Sequence, residues 1–449
     1  MHTIDRPVIR AAAAMLATDP GEATDAADSE AARRLLADLG AFDGTGPGNL
    51  AALVRLAGRL PMVFMLAAPR APGLTFLGAT VDAREFGRKP SGYAVDGVSG
   101  SGTSLRTAFA ACIGEAAEYL SQLESGDEGL VRRPAGEPGG GPALRNLDGL
   151  LAQLEATPGR ADPGADPAID WIAAERATDG AAVLVPADLC LRGRDQSAVR
   201  SRIPLSTGCA AGPTAAGARL SAVLELVERD AAALWWIGGR RGRRIAPDST
   251  AGRALPGLLR ALRHDRDERR TFVLDITTDL AIPCVAALSC NRDGRDLAFG
   301  LAARLDADAA VRSALVEMCQ GELGNGLIGV KLARGGEAAL TDRERLRARR
   351  SRHLLYDDCP LLHPAGVSRS DDPVPPAGDP LDHVLTRLAD ADIDVAFVDL
   401  TRQDVDIPVI KAFAPGLQPL QSCIATRRLQ RTRDEFGGGM IQTDSFALL

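Results

Sequence analysis

The sequence predicts an α/β (α+β) domain of mixed sheets, with β-α units repeated inside it and a short helical region before it. Three observations carry that expectation. Apolar spacing switches from helical to strand-like at Pro61. Residues 272–283 and 397–408 echo each other. Two Ser/Gly-rich entries each lead into a helix that carries Glu-x-x-Glu.

Segments 28–40 and 48–60 place Leu and Ala at helical spacing and stop at Gly40 or before Pro61. Strand-like runs follow at Met62–Ala67 and Leu74–Asp82. Pro/Gly-rich stretches at 134–142, 157–168 and 372–380 read as loops. The expected division is a helical N-terminal region over 1–70, the main domain over 71–425 and a polar C-terminal tail over 426–449.

The echo pairs FVLDITTDLAIP with FVDLTRQDVDIP. Each runs from apolar residues through Asp, an aliphatic residue and Thr to Ile-Pro, and each is followed by a second apolar run. A strand ending in Asp-x-Thr, a short turn and a return strand after Pro gives this pattern. Related βαβ-like or hairpin units follow from the two copies.

The acidic helices are SGSGTSLRTAFAACIGEAAEYLS at 99–121 and STGCAAGPTAAGARLSAVLELVERD at 206–230. Spacing of i and i+3 puts Glu115 with Glu118, and Glu225 with Glu228, on one face of each helix. Those faces border apolar stripes, where carboxylates are costly unless a cation compensates them. Magnesium suits, being a hard cation that joins one or two carboxylates to nucleotide phosphates. A pair of solvated surface charges is the plainer alternative for either pair taken alone.

These runs, taken in order, resemble the YcaO family. The first is similar to its Ser-Ala-x-x-Glu-x-x-Glu-Arg hallmark, and STGCAAGPTAAGARLSAVLELVERDAAALWW to its second. RSALVEMCQGELG at 312–324 resembles the helix with Glu-x-x-Gln, giving Glu317 and Gln320. VDLTRQDVDIPVIKAFAPGLQP resembles the closing strand pair, so the likeness spans roughly residues 70 to 420. The resemblance implies ATP- and magnesium-dependent activation of backbone amides in a ribosomally made precursor peptide, giving an azoline, a thioamide or an amidine. It implies Glu115, Glu118, Glu225 and Glu228 as magnesium ligands. Ser99, Thr214, Arg229 and Arg312 join those glutamates around ATP, and Glu228, Arg229 and Gln320 are the catalytic group. Departures stand at Gly100-Ser101-Gly102 (Gly-Lys-Gly in the family), Ala111, Tyr119, Pro213 and Gly217. They keep a second expectation open, a YcaO-fold scaffold or partner subunit without turnover. The run ends SFALL, without the Pro-x-Pro-x-Pro ending of many azoline formers, which keeps thioamide and amidine products in view.

Composition bounds the rest. With 449 residues, 45% of them hydrophobic, a sizeable core is affordable. A net charge of -7 argues against general affinity for nucleic acid or acidic membranes. No run of about 18 apolar residues suggests a membrane span. The eight cysteines form no Cys-x-x-Cys pair, as buried thiols of a cytoplasmic protein would. No HExxH or GxSxG supports a hydrolase. Residues 1–70 show no leader-binding winged-helix pattern. The expected partners are therefore the precursor peptide and a separate protein resembling ubiquitin-activating enzymes or TfuA, in a homo-oligomer or hetero-complex. Trp235 and Trp236 read as core, with a substrate platform as the second reading, and the arginine runs 240–244 and 343–352 as solvated basic faces, with binding of an acidic leader peptide or nucleotide as the alternative.

Overall fold

The structure, a computed structural model, describes residues 1–17, 26–42, 48–90, 95–134, 144–155, 168–193, 205–368, 378–420 and 424–439. The expected loops at 134–142, 157–168 and 372–380 lie almost wholly outside the described residues.

Three sheets carry the fold, and every pairing between their strands is antiparallel. The first runs β1 (His2–Ile4), β2 (Met62–Leu66), β3 (Thr75–Asp82) and β4 (Val95–Gly102) in order. It takes strands from both sides of residue 70. The second has the order β5 (Val131–Pro134), β6 (Ala168–Arg176), β13 (Ala396–Asp399), β14 (Val409–Phe413) and β8 (Cys209–Ala211), with β7 (Ala182–Pro186) also on β6. The third is β12 (Ala298–Ala303), β11 (Cys284–Asn291), β10 (Arg269–Asp275) and β9 (Arg243–Arg244).

The echoed segments are two hairpins with the same closure. Thr277 N–H bonds Asp275 Oδ1 at 2.9 Å, and its hydroxyl accepts from Cys284 N–H at 3.0 Å. Thr401 repeats this with Asp399 at 2.9 Å and Val409 at 3.1 Å. The Asx-type turn fixes where each strand reverses, which is why the same residue types recur in order.

The N-terminal helices are α1 (Arg6–Leu16), α2 (Ala26–Asp38) and α3 (Leu50–Ala57). Three long helices follow: α4 (Leu105–Gln122), α6 (Ala215–Trp236) and α8 (Ala307–Gly335). The shorter ones are α5 (Leu147–Glu155), α7 (Thr250–Arg263), α9 (Asp342–His353), α10 (Pro380–Asp390) and α11 (Arg427–Phe436). Ser104 caps α4, Thr214 caps α6 and Asp306 caps α8, each accepting from the backbone of the first turn. The polar tail expected after 426 begins instead as the helix α11. Arg428 holds it, bonding buried Asp230 at 2.9 Å and Asp279 at 2.7 Å.

Trp235 and Trp236 are buried in the core, and Trp235 Nε1 donates to the Leu361 carbonyl at 2.8 Å. Seven of the cysteines fall among the described residues, all buried and unbonded.

Candidate active site

Glycines bring α4 and α8 unusually close to their sheets. A Cβ on Gly100 of β4 would stand 2.1 Å from the Cys112 backbone nitrogen in α4. One on Gly300 of β12 would stand 2.1 Å from the Ala314 carbonyl oxygen and 2.3 Å from the Met318 nitrogen in α8. Only glycine permits that approach. The consequence lies beside each glycine, where a helix glutamate can reach a strand N–H.

Glu115 accepts from Ser99 N–H at 3.1 Å, next to Gly100. Glu317 accepts from Leu301 N–H at 2.9 Å, next to Gly300. Three more glutamates of α4 and α6 each accept a backbone N–H. Glu118 accepts from Ala211 at 2.7 Å, Glu225 from Gly208 at 3.0 Å and Glu228 from Ala303 at 3.3 Å. All five line one cleft of about 890 Å³ between α4, α6 and α8.

One backbone donor fills one of about four acceptor positions on a carboxylate. Arg229 is set deep among them, beside Glu225 and Glu228. It lies 3.2 Å from Glu225 and 3.5 Å from Glu228, and its Nη1 is buried without a hydrogen bond. Six acidic side chains, the five glutamates and Asp306, line the cleft against Arg229, Arg304 and Arg312, which leaves a negative excess. Burial pushes Glu118 well above the usual carboxylate range, against the pull of the Ala211 N–H. Burial also raises Glu228 to about 7, with Arg229 opposing and Glu317 and Glu225 adding to the rise. Glu317 rises for the same first reason. Each of these carboxylates sits where a further cation lowers its energy.

The donor set fits magnesium, which takes hard oxygen ligands. Among the described residues no three acidic, His or Cys side chains are already drawn together as a closed cage. An ion that keeps waters and takes phosphate oxygens needs only one or two carboxylates. No three-ligand cage is required for the fit.

A polar ladder forms the rim. Ser101 Oγ donates to Gln320 Oε1 at 2.6 Å, and Gln320 Nε2 donates to Ser99 Oγ at 3.2 Å. The two serines and Gln320 form one ladder across β4 and α8. Arg304 and Arg312 line the same cleft. Arg312 is half-exposed and tied to Asp308 at 3.0 Å.

Of the residues expected from sequence, the structure gathers Ser99, Glu115, Glu118, Glu225, Glu228, Arg229, Arg312 and Gln320 at this cleft. It does not bring Thr214 there. That hydroxyl accepts from Gly217 N–H at 3.1 Å as the cap of α6. Tyr119 donates its hydroxyl to Asp96. Glu317, Arg304 and Ser101 are cleft residues that the sequence reading did not place among the site residues. For Glu317 the Glu-x-x-Gln spacing was the available signal.

Behind the cleft, buried Lys411 donates to the Leu205 and Thr207 carbonyls at 2.8 and 2.5 Å. Gln122 donates to the same Leu205 carbonyl at 2.6 Å. These bonds fix the turn whose next residue, Gly208, holds Glu225.

The family model described as YcaO cyclodehydratase, ATP- and Mg²⁺-binding, matches residues 99–418. The chain belongs to the YcaO family. An uncharacterized protein of Methanothermobacter thermautotrophicus is 28% identical over 349 residues, 72% of this chain and 82% of its own. Three solved structures share the YcaO fold at lower identity. A heterocyclase in complex with substrate and cofactor superposes with a TM-score of 0.64 at 22% identity, over 86% of this chain and 52% of its own. The chain thus spans about half of that heterocyclase. YcaO from Methanopyrus kandleri, bound with AMPPCP and Mg²⁺, gives 0.56 at 20% identity, over 82% of this chain and 90% of its own. The E. coli microcin synthetase McbBCD complex gives 0.63 at 16% identity, over 86% and 96%.

Proposed function

We propose that this YcaO protein binds ATP and Mg²⁺ in the glutamate cleft and activates backbone amides of a ribosomally made precursor peptide. The observation that supports this most is the set of five glutamates, each accepting one backbone N–H and facing a common space. Bound there, ATP would supply the phosphoryl group by which the amide oxygen leaves as phosphate once a nucleophile has added to the carbonyl carbon, and magnesium would neutralise charge. Glu115, Glu118, Glu225, Glu228 and Glu317 are the residues that would hold the metal. Backbone N–H groups fix one oxygen of each, so the carboxylates are oriented before any ligand arrives. Arg229 keeps Glu225 and Glu228 apart in charge and close in space. Gln320, held by two serines, presents a polar edge at the rim. Residues 71–425 supply this unit in our reading.

Amide-oxygen activation is common to azoline, thioamide and amidine formation, and the reading stops at that shared step. A partner resembling ubiquitin-activating enzymes or TfuA would deliver the peptide in the cytoplasm. Among the described residues no helix is long and apolar enough to cross a membrane.

Calorimetry with AMPPNP, with and without millimolar Mg²⁺, tests the reading. The expected result is magnesium-dependent binding that Glu225→Gln removes, and loss of the mass shift of a co-expressed precursor in the same variant. Ser101 and Tyr119, which turn their hydroxyls to Gln320 and Asp96, favour one alternative, a scaffold without turnover. No nucleotide heat at any magnesium concentration, with peptide still bound, selects that alternative.

A further inference from the structure

Glu118 and Glu225 stand on different helices, yet one short stretch of backbone holds both. Gly208 N–H reaches Glu225 of α6, and Ala211 N–H, three residues on, reaches Glu118 of α4. These donors belong to the run 205–211, which ends in β8. That strand has three residues and lies at the edge of its sheet, paired with β14 alone. An edge strand is bonded along one side only, so its place depends on what else grips it. Whatever grips this run sets one carboxylate from each helix.

The grip is Lys411. It stands opposite Cys209 on β14, 3% exposed, and its Nζ donates to the Leu205 and Thr207 carbonyls at 2.8 and 2.5 Å. The Thr207 carbonyl and the Gly208 N–H belong to one peptide group. In a planar trans peptide they point in opposite directions. Lys411 therefore holds the oxygen of the same peptide whose N–H holds Glu225 at 3.0 Å. A cation on that oxygen also polarises the peptide and strengthens its N–H as a donor. Gln122, one turn beyond Glu118 on α4, also donates to the Leu205 carbonyl, at 2.6 Å. Gly208 has φ +76°, and a Cβ there would stand 2.7 Å from Leu226 Cδ2, so the turn has little room to rearrange.

Packing alone does not ask for lysine here. Methionine fills a similar space, and burying an ammonium is costly where neutral carbonyls are its partners. What lysine adds is the hold on the Thr207–Gly208 peptide.

We infer that Lys411 is a positioning residue of the cleft, holding the Thr207–Gly208 peptide so that Glu225 faces magnesium, with Gln122 as its second hold. This rests on the reading of the cleft as a magnesium–nucleotide site.

The test is AMPPNP calorimetry on the full chain at a series of Mg²⁺ concentrations. Lys411→Met should raise the magnesium needed for half-maximal binding by about 10–100-fold, the usual loss when a group that orients a metal ligand is removed. Excess magnesium should restore binding, because the ligands themselves remain. Gln122→Met should shift it in the same direction by less. Combined with Glu317→Gln, whose backbone donor Leu301 lies on another sheet, the Lys411→Met factor should multiply. Denaturation midpoints, read alongside at the same magnesium levels, separate this shift from a general loosening of the fold. An unshifted magnesium dependence in folded Lys411→Met overturns the inference. So does a loss that excess magnesium does not recover, or one that fails to multiply with Glu317→Gln. If Lys411→Met does not fold, Gln122→Met decides, and a wild-type magnesium dependence there overturns the inference. Unshifted variants beside a wild type that binds leave the cleft reading intact. No AMPPNP binding by the wild type at any magnesium concentration overturns that reading, and this inference with it.

Discussion

Glu317 and Glu322 stand five residues apart on α8 and are used in opposite ways. Glu322 is 2% exposed, yet its carboxylate is closed on every side. Arg263 donates twice at 2.6 Å, Ser289 donates at 2.5 Å, and Arg269 Nε lies 3.2 Å away. Glu317 accepts one backbone N–H and otherwise shares the cleft with other carboxylates. A buried carboxylate given fixed arginines is architecture, because its charge is already matched. One given a single backbone donor, among like charges, is left for an external cation. The partner inventory therefore distinguishes the two where burial alone does not.

The largest expected effect follows from that contrast. Glu322→Ala strands Arg263 and Arg269 in the core and should cost about 3–5 kcal/mol of stability. Glu317→Gln keeps an acceptor for the Leu301 N–H and removes repulsion. It should leave stability equal or higher while weakening magnesium-dependent AMPPNP binding. Chemical denaturation of both variants checks this. A loss in Glu317→Gln comparable to that in Glu322→Ala breaks the comparison.

The next effect depends on pH. Glu228 is raised to about 7 from an ordinary 4.5, chiefly by burial. The folded state then binds that proton more tightly than the unfolded chain does. Its charge costs nothing below about 4.5, and the cost grows as pH rises, to be complete above about 7. In EDTA, Glu228→Gln should melt above wild type at pH 8, with the gap closing toward pH 4. Mg·AMPPNP at pH 8 should narrow the gap by stabilising wild type alone. A gap that does not change with pH removes the role assigned to burial.

How much of this was legible in the sequence depends on distance along the chain. The hairpin turns were readable because Asp275 and Asp399 bond backbone two residues on. The Glu-x-x-Glu faces were readable because helical spacing fixes them. Glu317 and Glu322 look alike in sequence, since the partners that separate them are remote. Arg263 lies 59 residues from Glu322. The same holds for α11, read as a tail. Its order depends on Arg428 meeting Asp230, 198 residues away. Thr214 shows the reverse case, where a motif position suggested a ligand-binding residue and the hydroxyl caps the helix.

Glycine position gives a smaller test of the same contrast. Gly300→Ala would push a methyl into the Ala314 carbonyl and the Met318 nitrogen. Overpacking of that kind typically costs about 1–3 kcal/mol. The shift of α8 should also part Glu317 from Leu301, so AMPPNP affinity should fall along with the melting temperature. Undiminished affinity would show that the close approach serves packing only.

The smallest expected effect comes from Gly326, on the same helix beyond the cleft. A Cβ there meets nothing within 4 Å. Helical glycine loses more chain entropy on folding than alanine does, so Gly326→Ala should stabilise by about 0.5–1 kcal/mol. Nucleotide affinity should not move, because Glu317 lies more than two turns away and the substituted face contacts nothing. The pair Gly300→Ala and Gly326→Ala thus applies one chemical change to two glycines of one strand–helix unit, with opposite signs expected. Denaturant midpoints and AMPPNP titrations on both variants read it directly. A destabilised Gly326→Ala would mean that something packs on this part of α8 in solution, and a fall in affinity would mean that the helix transmits strain to the cleft.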